Sequence, residues 1–446
     1  MGSLNVSGKR VKKVYAKAFC KAVIKQLHTE PPMNLNGLCL NMTTNLFQTN
    51  NPYRTHLVFA DREMMPNLGP ILDKRLAVKN VLIAYTPNHL ESAKRLKSTY
   101  KSHKIKAEIR FMEPAFELND IVRDLKVLVK ETPYETLAVN LSRASKMYTL
   151  SAFKAFENTP VGLYYLLPND QFKWIQPTGL PEFNIAENIQ LREFLQAHGI
   201  EHTHPVTLTP SEAHFANGLV NAIVKIILPQ NALATYQHFS TRFARGKPVN
   251  LILENERYRL DDTNSQQRID TNLLVGFLRK LHNQNIIFLN SAHHKISPKP
   301  EKVGWKRNFF EGGWLEYLTY RTVLELKADI PKIKEAAFGV KLQRKNVYDE
   351  ADVLFIGNNQ LFVIECKTGA NVNINLHLQR LDSLKNRLGG TSAHALLVTT
   401  EEIGANQHKA DLLKVGLIGG VQLKNLKEHL KQWILAEISQ TSTQEE

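Results

Sequence analysis

The chain has 446 residues, enough for two or three domains with their own cores, and its 43% hydrophobic and 22% charged content is that of an ordinary globular protein. Its 57 Lys and Arg against 42 Asp and Glu give a formal charge of +15, which favours polyanions and puts nucleic acid first among partner classes. Cys20, Cys39 and Cys366 are an odd set without metal-type spacing, which argues against a disulfide framework or a zinc ribbon and predicts a reducing cytoplasm; no apolar run is long enough to span a membrane.

Residues 1–50 form a basic N-terminal extension. Its segment GKRVKKVYAKAFCKAVIKQL is amphipathic, and no acidic residue precedes Glu30. It reads as a nucleic-acid arm, a surface helix or, the preferred reading, a dispensable extension ahead of Met42 as the initiator. Over residues 51–178 strands are predicted at THLVFA, NVLIAYT, KAEIRFM, TLAVNLS and VGLYYLLP, with amphipathic helices such as HLESAKRLKSTYKSH and NDIVRDLKVLVK between them. Near-continuous apolar strands separated by helices predict a parallel sheet covered on both faces. This is a Rossmann-like domain that closes with a hairpin at PNDQ.

Residues 179–300 are less regular and read as a linker holding a winged-helix-like unit. Helical patterns at SEAHFANGLVNAIVKII and NLLVGFLRKLHNQ precede IIFLN and HHKIS, a helix leading into a small β-wing. His293-His294 and HTHP lack ligand spacing and read as surface residues, and SPKPEKVG is a domain boundary. Residues 301–446 open with the helix EGGWLEYLTYRTVLELKADIP. Three strands follow, FGVKLQRK, ADVLFIG and QLFVIECK, then a helix at NLHLQRLDSLKNRLGG and a strand at AHALLVTT, an αβββαβ order.

The chemistry concentrates in EADVLFIGNNQLFVIECKTG, residues 350–369. Asn358-Asn359 reads as a hairpin turn, because Asn tolerates positive φ. Counting outward from Gly357 facing Gln360 sets Asp352 opposite Glu365 and Glu350 opposite Lys367, with Glu365 and Lys367 on one face. Like charges so placed repel unless one is protonated or a cation sits between them. Two carboxylates from adjacent strands suit Mg²⁺ or Mn²⁺, and Lys367 would position a water or stabilise charge on a scissile phosphate. The competing reading is a salt-bridged surface hairpin in which Glu350 neutralises Lys367.

In the front domain, a strand order of 3-2-1-4-5 would place the ligand crevice between the loops after strands 1 and 4, ADREMMPNLG and NLSRASKM. The second loop sets Ser142, Arg143, Ala144, Ser145 and Lys146 at a helix N-terminus, where backbone N–H groups favour phosphate, and Arg62 adds charge from the first. The alternative is capping by Ser145 with solvated Arg and Lys. Neither GxGxxG nor GxxxxGK occurs, which disfavours NAD and P-loop ATP.

The pattern D-x12-E-x-K, as Asp352, Glu365 and Lys367 in an αβββαβ order, resembles the PD-(D/E)xK nuclease superfamily, with Ala351 where the proline of that name would stand. The resemblance implies a further carboxylate from Glu316 in GGWLEYL and a metal ligand in the Cys366 carbonyl, the Cys366 side chain being core. With the front domain included, the chain from Thr55 onward resembles the CRISPR-associated Rossmann fold (CARF) nucleases, in particular the CRISPR ancillary nucleases activated by cyclic oligoadenylate. GGWLE, ADVLFIGNNQLFVIECKTG, LDSLKNRLGG and GLIGGVQLKNLKEHLKQW carry it; VNLSRASK supports it, with Arg143 and Ala144 where the family has two glycines.

That family implies a homodimer whose front domains bind a cyclic oligonucleotide, most often cyclic tetra-adenylate. Binding would reorient nuclease domains around DNA or RNA in type III CRISPR antiviral defence. Arg380, Lys385 and Arg387 would hold the phosphate backbone or form a solvated helix face. Two other functions stay open: a restriction or repair endonuclease not gated by the ring, and a ligand-responsive DNA-binding regulator.

Overall fold

The computed structural model describes residues 51–440 apart from 168–169, 204, 248, 255–256, 261–269, 293–294, 299–303, 345 and 370–371. The basic extension with Cys20, Cys39 and Met42, the His293-His294 pair and most of the SPKPEKVG boundary lie outside the described residues. No described helix is long and apolar enough to cross a membrane.

The front domain alternates as its sequence predicts: β1 (Thr55–Phe59), α1 (Met65–Leu72), β2 (Asn80–Tyr85), α2 (Leu90–Ser102), β3 (Lys106–Phe111), α3 (Leu118–Leu128), β4 (Leu137–Asn140), α4 (Lys146–Phe156) and β5 (Gly162–Leu166). The parallel order is β3-β2-β1-β4-β5, extended by antiparallel β6 (Gln171–Gln176) and β7 (Phe183–Asn184), so this sheet continues past residue 178. Leu57, Leu82, Leu137 and Val139 pack beneath α3 and α4, while Val58, Val81 and Ile83 point to the opposite face with α1 and α2. Burial on both faces is why β1, β2, β4 and β5 lack polar alternation, whereas edge strand β3 alternates Lys106, Glu108 and Arg110 with Ala107, Ile109 and Phe111.

The chain then forms α5 (Leu191–Ala197), β8 (Glu201–His202), α6 (Pro210–Ala222), α7 (Leu233–Ala244), β9 (Leu251–Glu254), β10 (Arg257–Leu260), α8 (Thr271–Asn283), β11 (Leu289–Ala292) and β12 (Lys295–Pro298). The last four strands make an antiparallel sheet of order β10-β9-β12-β11. Helix α8 running into the β11–β12 hairpin is the helix and wing expected from the sequence.

The final segment holds α9 (Trp314–Asp329), β13 (Ile333–Arg344), β14 (Val347–Gly357), β15 (Gln360–Lys367), α10 (Ile374–Leu388), β16 (Ala393–Thr399), α11 (Asn406–Leu413), β17 (Gly416–Gly419) and α12 (Leu426–Gln440). Its sheet order is β17-β16-β15-β14-β13-β8, with the predicted αβββαβ inside it. The middle segment thus supplies an edge strand to the last sheet: Leu342 faces His202 and Gln343 faces Glu201. Strand β13 also begins before FGVKLQRK, at Ile333, with an irregularity between Ile333 and Glu335.

Two cores sandwich this sheet. Phe355, Phe362, Ile364 and Cys366 face α9, α12 and the helices of the middle segment, and the rings of Phe355 and Phe362 stack at 4.6 Å. Leu354, Ile356, Leu361 and Val363 join α10 and α5 in a cluster that also contains Val58, Ile83, Leu96 and Tyr100 of the front domain. Burial of each such side chain stabilises by about 1.5–3 kcal/mol, so front and last domains share a continuous apolar boundary.

Candidate functional site

The β14–β15 hairpin turns on Asn358 (φ 51°) and Asn359 (φ 58°), both left-handed as a two-residue turn of this type requires. The register runs as counted, Gly357 with Gln360 out to Val353 with Ile364. One step further the strands part. Asp352 turns its carboxylate into the gap and accepts the Cys366 backbone N–H on Oδ2 at 2.6 Å. The paired register with β15 ends at Val353, so Glu350 is not laddered to Lys367 as the counting expected; on its other side it pairs with Lys341 of β13.

The parted strands still bring the charges together. Lys367 Nζ lies 3.1 Å from Glu365 Oε1 and 3.6 Å from Asp352 Oδ2, with both carboxylates largely buried. Burial pushes the Asp352 carboxyl up from its usual range; Lys367 and the Cys366 N–H pull it down, and Glu365 and Glu350 add to the rise. Glu316, in the first turn of α9, is pushed up to about 7, by burial first and then by Asp352, against the pull of Lys367. Burial lowers the Lys367 ammonium, but Asp352 and Glu365 together outweigh it and the net shift is upward. One ammonium thus faces at least three carboxyls, a site short of positive charge.

Cys366 meets this site through its backbone. Its thiol is buried against Thr319 of α9 at 3.5 Å, and burial raises it well above its ordinary value, as an inert core cysteine requires. Among the described residues no three His, Cys, Asp or Glu side chains form a ready-made metal cage. A hard divalent ion that keeps several waters needs one or two carboxylates rather than a cage, and the all-oxygen donors and cation deficit here fit such an ion.

The sequence did not single out His377. It stands in the first turn of α10 with Nδ1 3.1 Å from Glu365 Oε1. Nor did it foresee the walls around the site. Thr368 Oγ1 donates to Glu311 O at 2.7 Å beside Gly312, where a Cβ would stand 3.1 Å from the Thr368 hydroxyl. Gln237 of α7 donates to Thr400 Oγ1 at 2.9 Å, and Gly369 N donates to the same hydroxyl. Lys385 and Arg387 are not free for a phosphate backbone: Lys385 donates to the Leu413 and Lys414 carbonyls, and Arg387 pairs with Asp349 at 2.6 Å. Arg380 is exposed.

At the C-terminal ends of the front strands lies a cavity of about 240 Å³, at the switch point between β1 and β4. Ala144 and Ser145 line it, with Asp61, Tyr85, Thr86, His89 and Tyr148, which the sequence reading did not name. Ser145 caps α4, accepting from Tyr148 N. Ser142 braces the loop, donating to Asn140 Oδ1 at 2.6 Å and accepting from Leu166 N at 2.7 Å. Arg62 and Lys146 are exposed outside the lining. Arg143 pairs with Glu63 and reaches Thr391 Oγ1 at 3.4 Å, while Thr391 donates to Glu63 Oε2 at 2.8 Å. The loops after β1 and β4 therefore grip the turn that follows α10.

A Rossmann-like front domain, with a cavity at its strand ends, is thus joined to an acidic, lysine-centred site on the last sheet. Residues 304–437 match the family model described as the Card1-like endonuclease domain, so this segment is an endonuclease domain, in agreement with the resemblance to CRISPR ancillary nucleases. Protein VC1899 from Vibrio cholerae shares the fold with TM-score 0.71 and 23% identity over 87% of this chain and 99% of its own. Can2 from Sulfobacillus thermosulfidooxidans, solved with cyclic tetra-adenylate, does so with TM-score 0.68 and 18% identity over 88% and 99%. No curated protein matches the chain.

Proposed function

We propose that the chain is a metal-dependent PD-(D/E)xK endonuclease of type III CRISPR antiviral defence, cutting DNA or RNA when cyclic oligoadenylate, cyclic tetra-adenylate first, occupies a front-domain homodimer. The observation that carries the nuclease reading is Lys367 Nζ held between Asp352 and Glu365 where the hairpin parts. Asp352, Glu365 and the Cys366 carbonyl would hold Mg²⁺ or Mn²⁺. Such an ion supplies a nucleophilic water at neutral pH and neutralises phosphate charge. Lys367 stabilises the charge that develops on the scissile phosphate. Glu316, with a carboxyl that titrates near neutrality, holds or releases a proton beside the reacting water.

The activator reading rests on the cavity and on Arg143. Phosphates entering beside Ala144 and Ser145 compete with Glu63 for Arg143, which loosens the grip of both loops on Thr391. Helix α10 ends just before that turn, and its other end carries His377 against Glu365, about 20 Å away along the axis. The homodimer reading rests on Leu150 (56% exposed) and Phe153 (40%) one turn apart on α4, with Phe116 (86%) exposed in the loop before α3. Tyr148 of α4 holds the Phe116 loop by donating to Glu113 O. A ring on a two-fold axis would touch both copies alike.

The test crosses single-stranded DNA and RNA with Mg²⁺, Mn²⁺ or EDTA and with cyclic tri-, tetra- and hexa-adenylate. Metal-dependent cleavage that rises about tenfold or more with one ring is expected. Cleavage indifferent to every ring would point to the restriction or repair enzyme. Duplex binding in EDTA with no nicking in Mn²⁺ would point to the regulator.

A further inference from the structure

We propose that His377 is a positioning residue for the cleavage reaction, fixing which oxygen of Glu365 is offered to the ion; the proposal rests on the nuclease reading above. Glu365 sits in β15 with its side chain 8% exposed, and among the described residues both of its side-chain partners, Lys367 Nζ and His377 Nδ1, reach Oε1 at 3.1 Å. With Oε1 engaged twice, Oε2 is the oxygen left to face a ligand. A carboxylate only accepts, so Nδ1 carries the hydrogen of this bond.

The ring is placed by backbone geometry. Asn373 caps α10, its side chain accepting from Leu376 N at 3.1 Å and its carbonyl from His377 N at 3.2 Å. Side chains on a helix lean toward its N-terminus, so position 377 projects back over the first turn toward the end of β15. Leu378 beside it is fully buried in the core shared with the front domain, which fixes the rotation of the helix. Lys367 alone leaves Glu365 free to swing, because the same ammonium also serves Asp352. The histidine removes that freedom, as groups behind a metal ligand do.

The experiment compares His377→Ala and His377→Asn in the full chain. Asn retains an N–H donor where Nδ1 stands, and Ala does not. Turnover is measured at saturating Mn²⁺ and cyclic tetra-adenylate, and Mn²⁺ binding is measured separately, without substrate, by electron paramagnetic resonance. Ala is expected to lower kcat and weaken Mn²⁺ binding by about 10- to 100-fold with KM for the polynucleotide unchanged, and Asn to recover most of both. A His377→Ala protein with wild-type kcat and Mn²⁺ affinity overturns the proposal while the nuclease reading stands. Equal losses in Ala and Asn, accompanied by a lowered melting temperature, overturn it in favour of a purely structural role. A wild type that neither cleaves nor binds Mn²⁺ removes the nuclease reading and this proposal with it.

Discussion

Glu316→Gln separates what the site costs from what it does. The Glu316 carboxyl keeps its proton up to about pH 7, against an ordinary 4.5, because burial disfavours the anion and Asp352 and Glu350 repel it. The unfolded chain ionises the same group near 4.5. The folded state therefore binds the extra proton between pH 4.5 and 7, and stability falls as pH rises through that window. A gap of about 2.5 pH units corresponds to up to about 3 kcal/mol, fully lost above pH 7. Glutamine keeps the shape and cannot ionise. In urea denaturation with EDTA, the variant should exceed wild type by up to about 3 kcal/mol at pH 8 and by little at pH 5. The same variant should lose cleavage, since it cannot exchange a proton. A stability difference that stays flat from pH 5 to pH 8 would refute the claim that burial and the neighbouring carboxylates govern this group.

Glu63→Gln weakens the hold on Arg143, so half-saturation by cyclic tetra-adenylate should come at about fivefold lower concentration and ligand-free cleavage should rise; unchanged values would remove the latch. Leu150→Glu or Phe153→Glu should convert a dimer to monomers in analytical ultracentrifugation, and a wild-type monomer under the same conditions would contradict the α4 interface. Asn359→Val should destabilise by about 1–2 kcal/mol for its left-handed backbone, read by thermal denaturation. Asn359→Gly should recover that part while losing the side-chain bonds to Ile189 N, Ala186 O and Asp170.

Much of this was legible because the information is local. Branched and aromatic runs between helical periods specified the front sheet, and the Asn pair fixed a register that holds from Gly357 to Val353. Below Val353 the counting failed for a physical reason: the Cys366 N–H gains a charged acceptor when Asp352 turns inward, and the ladder opens to allow it. Two-residue β8 has no period to read, so the middle segment passed for a linker. His377, Glu63 and Thr391 acquire their roles from partners 12 to 328 positions away, between loops and helix ends that no local pattern connects. Lys385 and Arg387 looked like free cations because nothing local announces the carbonyls and carboxylate that engage them.

Under the proposed function, Asp352 and Glu365 share one divalent ion beside Lys367. Mn²⁺ titration of the wild type and of Glu365→Gln, followed by electron paramagnetic resonance and paired with cleavage by the same samples, tests it most directly. Binding and cleavage should disappear together in the variant and in EDTA. Cleavage that survives in either, or Mn²⁺ binding untouched by Glu365→Gln, would contradict it.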